Sequence, residues 1–213
     1  PPLHRDNDLG FTAALWCPGD NGGANIYAPA AADPENGVFF VPSRTDCTSR
    51  ILAPGEERDG MLELPTGETI ADYAVLRSTG VRGPDGMPIF KPPYARITAI
   101  DMKTGEHLWQ IPTGETPNVV LEHPDLKGKD IPNTGAPLHP PMLVTRTMVM
   151  YTSLRSDGTP ALFGVDKATG KQVGVVEIED RAFYGNMTYV HNGRQYVVLQ
   201  TGPKLTVLAL PED

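Results

Sequence analysis

The 213 residues hold 26 acidic against 18 basic side chains, a net charge of −8, with 39% apolar content and 22 each of Gly and Pro. Phosphate neutralisation needs a basic face, and no cluster of Lys or Arg occurs, so a nucleic-acid partner is excluded. Apolar runs stay well short of the roughly 18 residues that a spanning helix needs, and the Gly and Pro content fits many short strands joined by turns, which makes the chain all-β and large enough for one sizeable core.

In chain order, the opening Pro1-Pro2-Leu3-His4-Arg5-Asp6 lacks the charged and apolar regions of a signal peptide and reads as the middle of a longer chain. Residues 11–16 are a short apolar stretch ended by the turn 18–23, in which Gly22 and Gly23 permit close backbone approach to a flat ligand but equally make a plain turn. Cys17 and Cys47 flank one turn-and-strand unit. Paired, they would close a loop of about 30 residues, stabilise by about 3 to 4 kcal/mol and imply an oxidising compartment; unpaired, they are two buried thiols. Residues 25–27 and 37–42 read as strands joined by a Pro-, Asn- and Gly-containing turn at 32–37. Polar excursions follow at about 53–69 and 79–93.

Residues 97–110, Ile-Thr-Ala-Ile-Asp-Met-Lys-Thr-Gly-Glu-His-Leu-Trp-Gln, form the stretch around which the chain is organised. Alternation up to Asp101 predicts a half-buried strand, Lys103-Thr104-Gly105 a tight turn, and 107–111 a returning strand with a large aromatic anchor. Ala99 leaves a slot, Asp101 and Thr104 can bond turn amides, Gly105 accepts positive φ, and Trp109 can fill a slot on the next sheet. The unit recurs at 162–171: Asp101 to Asp166 and Gly105 to Gly170 are both offsets of 65 residues (166 − 101, 170 − 105), which points to a repeat array of propeller type. Gly174 stands where the first copy has Trp109, so one docking contact is weaker or replaced.

A further long excursion, 114–137, carries Pro and Asp with little periodicity, as functional or partner-contacting loops do. From 142 to 210 short β-rich runs alternate with turns as a meander, and Asn192-Gly193 is a strong hairpin signal. Weaker motifs point to the blander explanation. Glu122, His123 and Asp125 have no second cluster at ligand spacing and read as solvated. The Asn186-Met187-Thr188 sequon falls in a predicted strand. Met142, Met148 and Met150 read as strand core. No Gly-x-Ser-x-Gly, P-loop or Cys-x-x-Cys is present.

Residues 92–110 resemble the tryptophan docking motif of the pyrroloquinoline-quinone (PQQ) dependent dehydrogenases, closest to the membrane glucose dehydrogenase branch. Cys17-Pro18-Gly19, Gly22-Gly23-Ala24-Asn25 and Ala32-Asp33-Pro34 resemble that family's Pro-Gly, Gly-Gly-x-Asn-Trp and Asp-Pro segment, while 186–198 resemble its last blade and 205–211 its closing strand. The resemblance covers nearly all of residues 1–213, taken as the C-terminal part of one propeller domain, about three of the family's eight blades, built of antiparallel four-stranded sheets.

The resemblance implies a periplasmic oxidoreductase acting on an alcohol or sugar, with PQQ as cofactor and with the catalytic Asp and the Ca²⁺ ligands outside this chain. It assigns Asn25 to the quinone, with Gly22 and Gly23 as its turn, the plain alternative being a turn-capping Asn. It also relates Cys17 and Cys47 to a structural disulfide of the alcohol-dehydrogenase branch. Two departures stand out: Ile26 replaces the motif's Trp, and His139-Pro140 stands where a flexible Gly-Gly meets the quinone's edge, making His139 either a pocket contact or a packed loop histidine. These departures leave room for a second expectation, a non-catalytic propeller scaffold that has lost PQQ. Two four-stranded blades and three strands of another are expected, so the chain should need the remaining blades, from a separate polypeptide or a longer parent, to cover its open faces and edges.

Overall fold

The structure is a computed structural model and describes residues 3–4, 14–19, 22–24, 28–54, 72–76 and 81–209. The strands begin with β1 (Leu3–His4), β2 (Ala14–Trp16), β3 (Ala31–Asp33), β4 (Val38–Arg44), β5 (Thr48–Pro54) and β6 (Tyr73–Leu76). The central hairpin is β7 (Ala95–Asp101) and β8 (His107–Pro112), followed by the one-turn helix α1 (Asn118–Leu121). Then come β9 (Met142–Val144), β10 (Met148–Leu154), β11 (Pro160–Asp166), β12 (Gln172–Glu177), β13 (Met187–His191), β14 (Arg194–Thr201) and β15 (Lys204–Ala209).

The chain divides into two compact units, residues 1–22 with 46–89 and residues 23–45 with 90–213. The first holds a small sheet in the order β1-β5-β2, with β6 also paired to β5. Sequence reading misses this sheet. Its β1–β5 pairing is parallel, Leu3 opposite Ile51, and joins segments too far apart in sequence to leave a hairpin signal. Cys17 and Cys47 are joined here as a disulfide, with Cα atoms 4.7 Å apart.

The second unit stacks three antiparallel sheets: β3-β4-β7-β8, then β9-β10-β11-β12, then β13-β14-β15. These are propeller blades, two complete with four strands and one with three among the described residues. Pro42 is tolerated inside β4 because β3 pairs only with Val38 to Phe40, leaving the missing N–H of Pro42 with no β3 partner to serve. The two copies of the docking turn are built alike. Asp101 Oδ1 accepts from the N–H groups of Lys103 (2.7 Å) and Thr104 (3.3 Å), and Asp166 Oδ1 accepts from Thr169 N–H (2.9 Å). Gly105 and Gly170 take φ +76 and +72.

The register fixes which side chains meet. Phe40 pairs with Ala99 and Ala99 with Trp109, so these share one face of the first blade with Ile97. That face packs on Val149, Tyr151, Phe163 and Val165 of the second blade in one continuous core. Each such fully buried apolar side chain stabilises by about 1.5 to 3 kcal/mol. The opposite face of the second blade presents Leu143 and Leu162 to Val197 and Leu199 of the third. Beyond it, Met187, Tyr189 and Val207 on the third blade's far face are exposed, a sheet surface of the kind that packs on another sheet.

Candidate functional site

One end of the blades collects chain segments from distant parts of the sequence. At the end of β4, Arg44 exchanges backbone hydrogen bonds with Gly23, its N–H donating to the Gly23 carbonyl (3.0 Å) and its carbonyl accepting from Gly23 N–H (2.7 Å). Its guanidinium Nη1 donates to the Pro137 carbonyl at 3.4 Å. Beside it, Thr45 N–H donates to the Tyr94 carbonyl and Tyr94 N–H to that of Thr134, both at 2.8 Å, which ties the start of β7 to the end of the 114–137 excursion. The excursion is also held at its beginning: Glu115 Oε2 accepts from Ser156 N–H (3.0 Å) and hydroxyl (3.2 Å) in the β10–β11 turn.

Between these points runs the segment 137–141. Pro140 and Pro141 are fully buried, and His139 is half-buried. Asn186, just ahead of β13, donates Nδ2–H to the Pro141 carbonyl at 3.1 Å. The Oδ1 of Asn186 is buried and accepts no hydrogen bond, an arrangement that costs about 1 to 3 kcal/mol unless a ligand or water completes it. Arg181, five residues earlier, stacks its guanidinium over Phe183 at 4.9 Å. Burial holds the Arg181 guanidinium below its ordinary pKa; nearby Asp180 opposes that shift and the like charge of Arg44 adds to it. Among the described residues no carboxylate forms an ion pair with Arg181. The end of the blades therefore combines cationic and amide groups in a partly desolvated setting, which is chemistry suited to an anionic or carbonyl-bearing ligand.

The predicted site residues fall as follows. Asn25 and Ile26 lie outside the described residues. Gly23 and His139 belong to this end of the second unit, through Arg44 and the 137–141 segment. Gly22 lies in the first unit's turn, where its N–H donates to the Gly19 carbonyl (2.8 Å) and a Cβ would meet the Pro18 Cβ at 2.5 Å, so no larger residue fits. Glu122, His123 and Asp125 form no metal cluster: His123 Nδ1 accepts from Asp125 N–H as a helix cap, and no group of three metal-binding side chains occurs among the described residues. Arg44, Arg181 and Asn186 are additions that sequence reasoning missed. Asn186 carries a signal, its place in the last-blade resemblance; the two arginines, 137 positions apart (181 − 44), carry none.

A blade array with a repeated docking turn and a polar end of this kind defines a quinoprotein-like β-propeller. A family model described as the PQQ glucose/ethanol/alcohol dehydrogenase beta-propeller domain matches residues 7–197, and the chain belongs to that family. The glycerol dehydrogenase large subunit of Gluconobacter thailandicus is 32% identical over 230 residues, covering 92% of this chain and 29% of that protein. The probable quinate dehydrogenase (quinone) of Xanthomonas campestris pv. juglandis is 27% identical over 215 residues, covering 91% and 25%. Among solved structures, the quinohemoprotein alcohol dehydrogenase from Comamonas testosteroni matches in fold with a TM-score of 0.54 at 17% identity, over 89% of this chain and 24% of that one. The chain thus spans less than a third of the length of these relatives and is a partial propeller. Among the described residues no helix is long and apolar enough to cross a membrane.

Proposed function

We propose that the chain is the C-terminal portion of a periplasmic PQQ-dependent dehydrogenase that oxidises an alcohol or sugar, contributing one wall of the quinone pocket and the closing blades. The observation that carries this is the convergence of Gly23, Arg44, the 137–141 segment, Arg181 and Asn186 at one end of the blades, in a chain of this family. The residues present fit a planar quinone bearing carboxylates: Arg181 has no described carboxylate partner, Asn186 has an unsatisfied amide oxygen, and Gly22 and Gly23 keep the turn before Asn25 free of side chains. PQQ with its Ca²⁺ supplies the two-electron oxidising chemistry when bound.

The part left to this chain is binding and orientation. Asn25 hydrogen-bonds the quinone, the Gly22-Gly23 turn permits close backbone approach, His139 borders its edge, and the buried Pro140-Pro141 pair holds that edge rigid and dry. The catalytic Asp and the Ca²⁺ ligands belong to the remaining blades, on another chain or a longer parent, and the chain alone is inactive. The test is native mass spectrometry of the purified protein, first alone and then with PQQ and Ca²⁺. A larger assembly that gains the mass of the quinone supports the proposal; an assembly that never takes up PQQ defeats it.

That second outcome would favour a non-catalytic propeller scaffold that binds protein instead of quinone. Its supporting observation is that His139-Pro140, with Pro140 fully buried, stands where a glycine pair would let the backbone approach the cofactor.

A further inference from the structure

The segment between β12 and β13 leaves one guanidinium without an acceptor. The Asp180 carboxylate beside it is engaged with backbone: its Oδ1 accepts from Arg181 N–H at 2.7 Å, and its Oδ2 lies against Gly202, where a Cβ would sit 2.7 Å away. Gly202 N–H donates to the Arg181 carbonyl at 3.2 Å, and Ala182 bridges to Thr201 at the end of β14. These contacts hold the backbone of Arg181 while its guanidinium stacks on Phe183 at 4.9 Å and has no ion-pair partner among the described residues. Phe183 and Tyr184 are 47% and 51% exposed, so the platform is open to solvent. Arg44, from the end of β4, brings a second positive charge close enough to depress the Arg181 pKa further. Five residues on, the buried Oδ1 of Asn186 has no donor.

We infer that Arg181, on its Phe183 platform, is the seat for a carboxylate of the substrate, so that the alcohol taken here is a hydroxy acid and not a neutral sugar or alcohol. The inference rests on the reading of this end of the blades as a dehydrogenase pocket. The donors and acceptors left over define the class. A guanidinium carries five N–H donors in a planar fork that matches a carboxylate in a bidentate pair, and it has no acceptor. Asn186 Oδ1 is the reverse case and needs an N–H or O–H donor. A hydroxy acid carries both complements, a carboxylate for the guanidinium and hydroxyl donors for the amide oxygen. A neutral polyol leaves the charge unmet, and inorganic phosphate as a dianion brings no donor. The exposed rings of Phe183 and Tyr184 give the carbon skeleton an apolar face to lie on. The quinone also carries carboxylates, and the arms of the test separate the two sources.

The test titrates the purified full chain, in the assembly it forms and without quinone, with glucuronate and with glucose as its neutral counterpart, by isothermal calorimetry. Glucuronate should bind about tenfold more tightly than glucose. Arg181→Gln should abolish the difference, whereas Arg181→Lys, which keeps the charge without the paired N–H groups, should retain part of it. Thermal midpoints equal to that of the native chain show that both variants are folded. Equal binding of the two sugars, absence of glucuronate binding, or a preference that survives Arg181→Gln overturns the inference. So does loss of PQQ uptake in Arg181→Gln with glucuronate affinity unchanged, because the seat then belongs to the quinone. A chain that keeps the Arg181-dependent preference yet never takes up PQQ defeats the dehydrogenase reading and leaves the hydroxy-acid seat standing.

Discussion

The indole Nε1–H of Trp109 donates to the backbone carbonyl of Lys167 at 3.1 Å, and the ring lies so close over Gly170 that a Cβ there would sit 3.0 Å from Cδ2 and Cε3. The anchor of one blade thus reads the turn of the next through a carbonyl and a missing side chain. Gly105 occupies the same place in the first copy of the turn with a similar positive φ, yet a Cβ there meets nothing within 4 Å. Gly105→Ala should therefore carry only the left-handed backbone strain, about 1 to 2 kcal/mol. Gly170→Ala adds overpacking against the indole and should cost about 2 to 4 kcal/mol in total. Urea unfolding midpoints of the two variants decide it, and equal losses would sink the docking account.

A second tie between the same blades is ionic. Lys167 Nζ lies 2.6 Å from Asp33 Oδ2, with both side chains largely buried. Lys167→Met leaves the Asp33 carboxylate buried without its cation, a change expected to cost about 3 to 5 kcal/mol, whereas the double variant Lys167→Met/Asp33→Leu should recover much of it. The same pairing sets an acid limb. Hydrogen bonding from Lys167, then from Asn36, lowers the pKa of Asp33 below its ordinary 3.8. A lowered folded-state value means stability that is present above the unfolded value of 3.8 and is lost as pH falls through the lower folded one. Thermal midpoints against pH should fall more steeply below about pH 4 for the native chain than for Asp33→Asn.

The Cys17–Cys47 disulfide spans 30 residues, and the chain-entropy account gives it about 3 to 4 kcal/mol. Cys17 is exposed, so dithiothreitol should reach the bond without prior unfolding. Reduction should lower the stability of the small sheet β1-β5-β2 and speed hydrogen exchange in β5 first, with the core between the first and second blades unaffected. Uniform loss of protection throughout the chain would mean that the bond supports more than its own unit.

Tyr151 is buried in the core between the first and second blades, stacked on Phe163 with ring centroids 5.3 Å apart, and its hydroxyl accepts from Gly114 N–H at 3.5 Å. Burial pushes its pKa up to about 12. For a raised value, the stabilisation is complete below the unfolded value of 10 and is lost as pH rises from there toward 12. Spectrophotometric titration at the phenolate band should show the same number of tyrosines ionising near pH 10 in the native chain and in Tyr151→Phe, with one further tyrosine in the native chain that ionises only toward pH 12. The alkaline decline in stability should also be shallower in the variant.

Much of the blade architecture was legible because it is written in short-range chemistry. Asp, Thr and Gly at fixed offsets make a turn whose amides and positive φ need no distant partner, and Asn192-Gly193 closes a hairpin at φ +49 and +77, whereas β3 at residues 31–33 overlaps the stretch that sequence reading takes as a turn and forms only by pairing with β4. The small sheet of the first unit was illegible for the opposite reason: a parallel pair between residues 3–4 and 51–52 has no local signature. The candidate site was legible only in part. Gly23 and His139 stood out by their residue types, while Arg44, Arg181 and Asn186 act through contacts that only the folded register creates.

The sequence by itself determined the blades, the docking turns and the family, since each depends on residues within one hairpin or on an ordered set of motifs. Tertiary structure alone decided what the hairpins dock on. Trp109 needed the Lys167 carbonyl and the bare Gly170 of another blade, and Gly174, at the position of the tryptophan in the first copy, borders an apolar depression only because Gly164 lies opposite it. Periodicity sets which face a side chain takes, but the neighbour it meets across an interface is fixed by register between strands far apart in the chain.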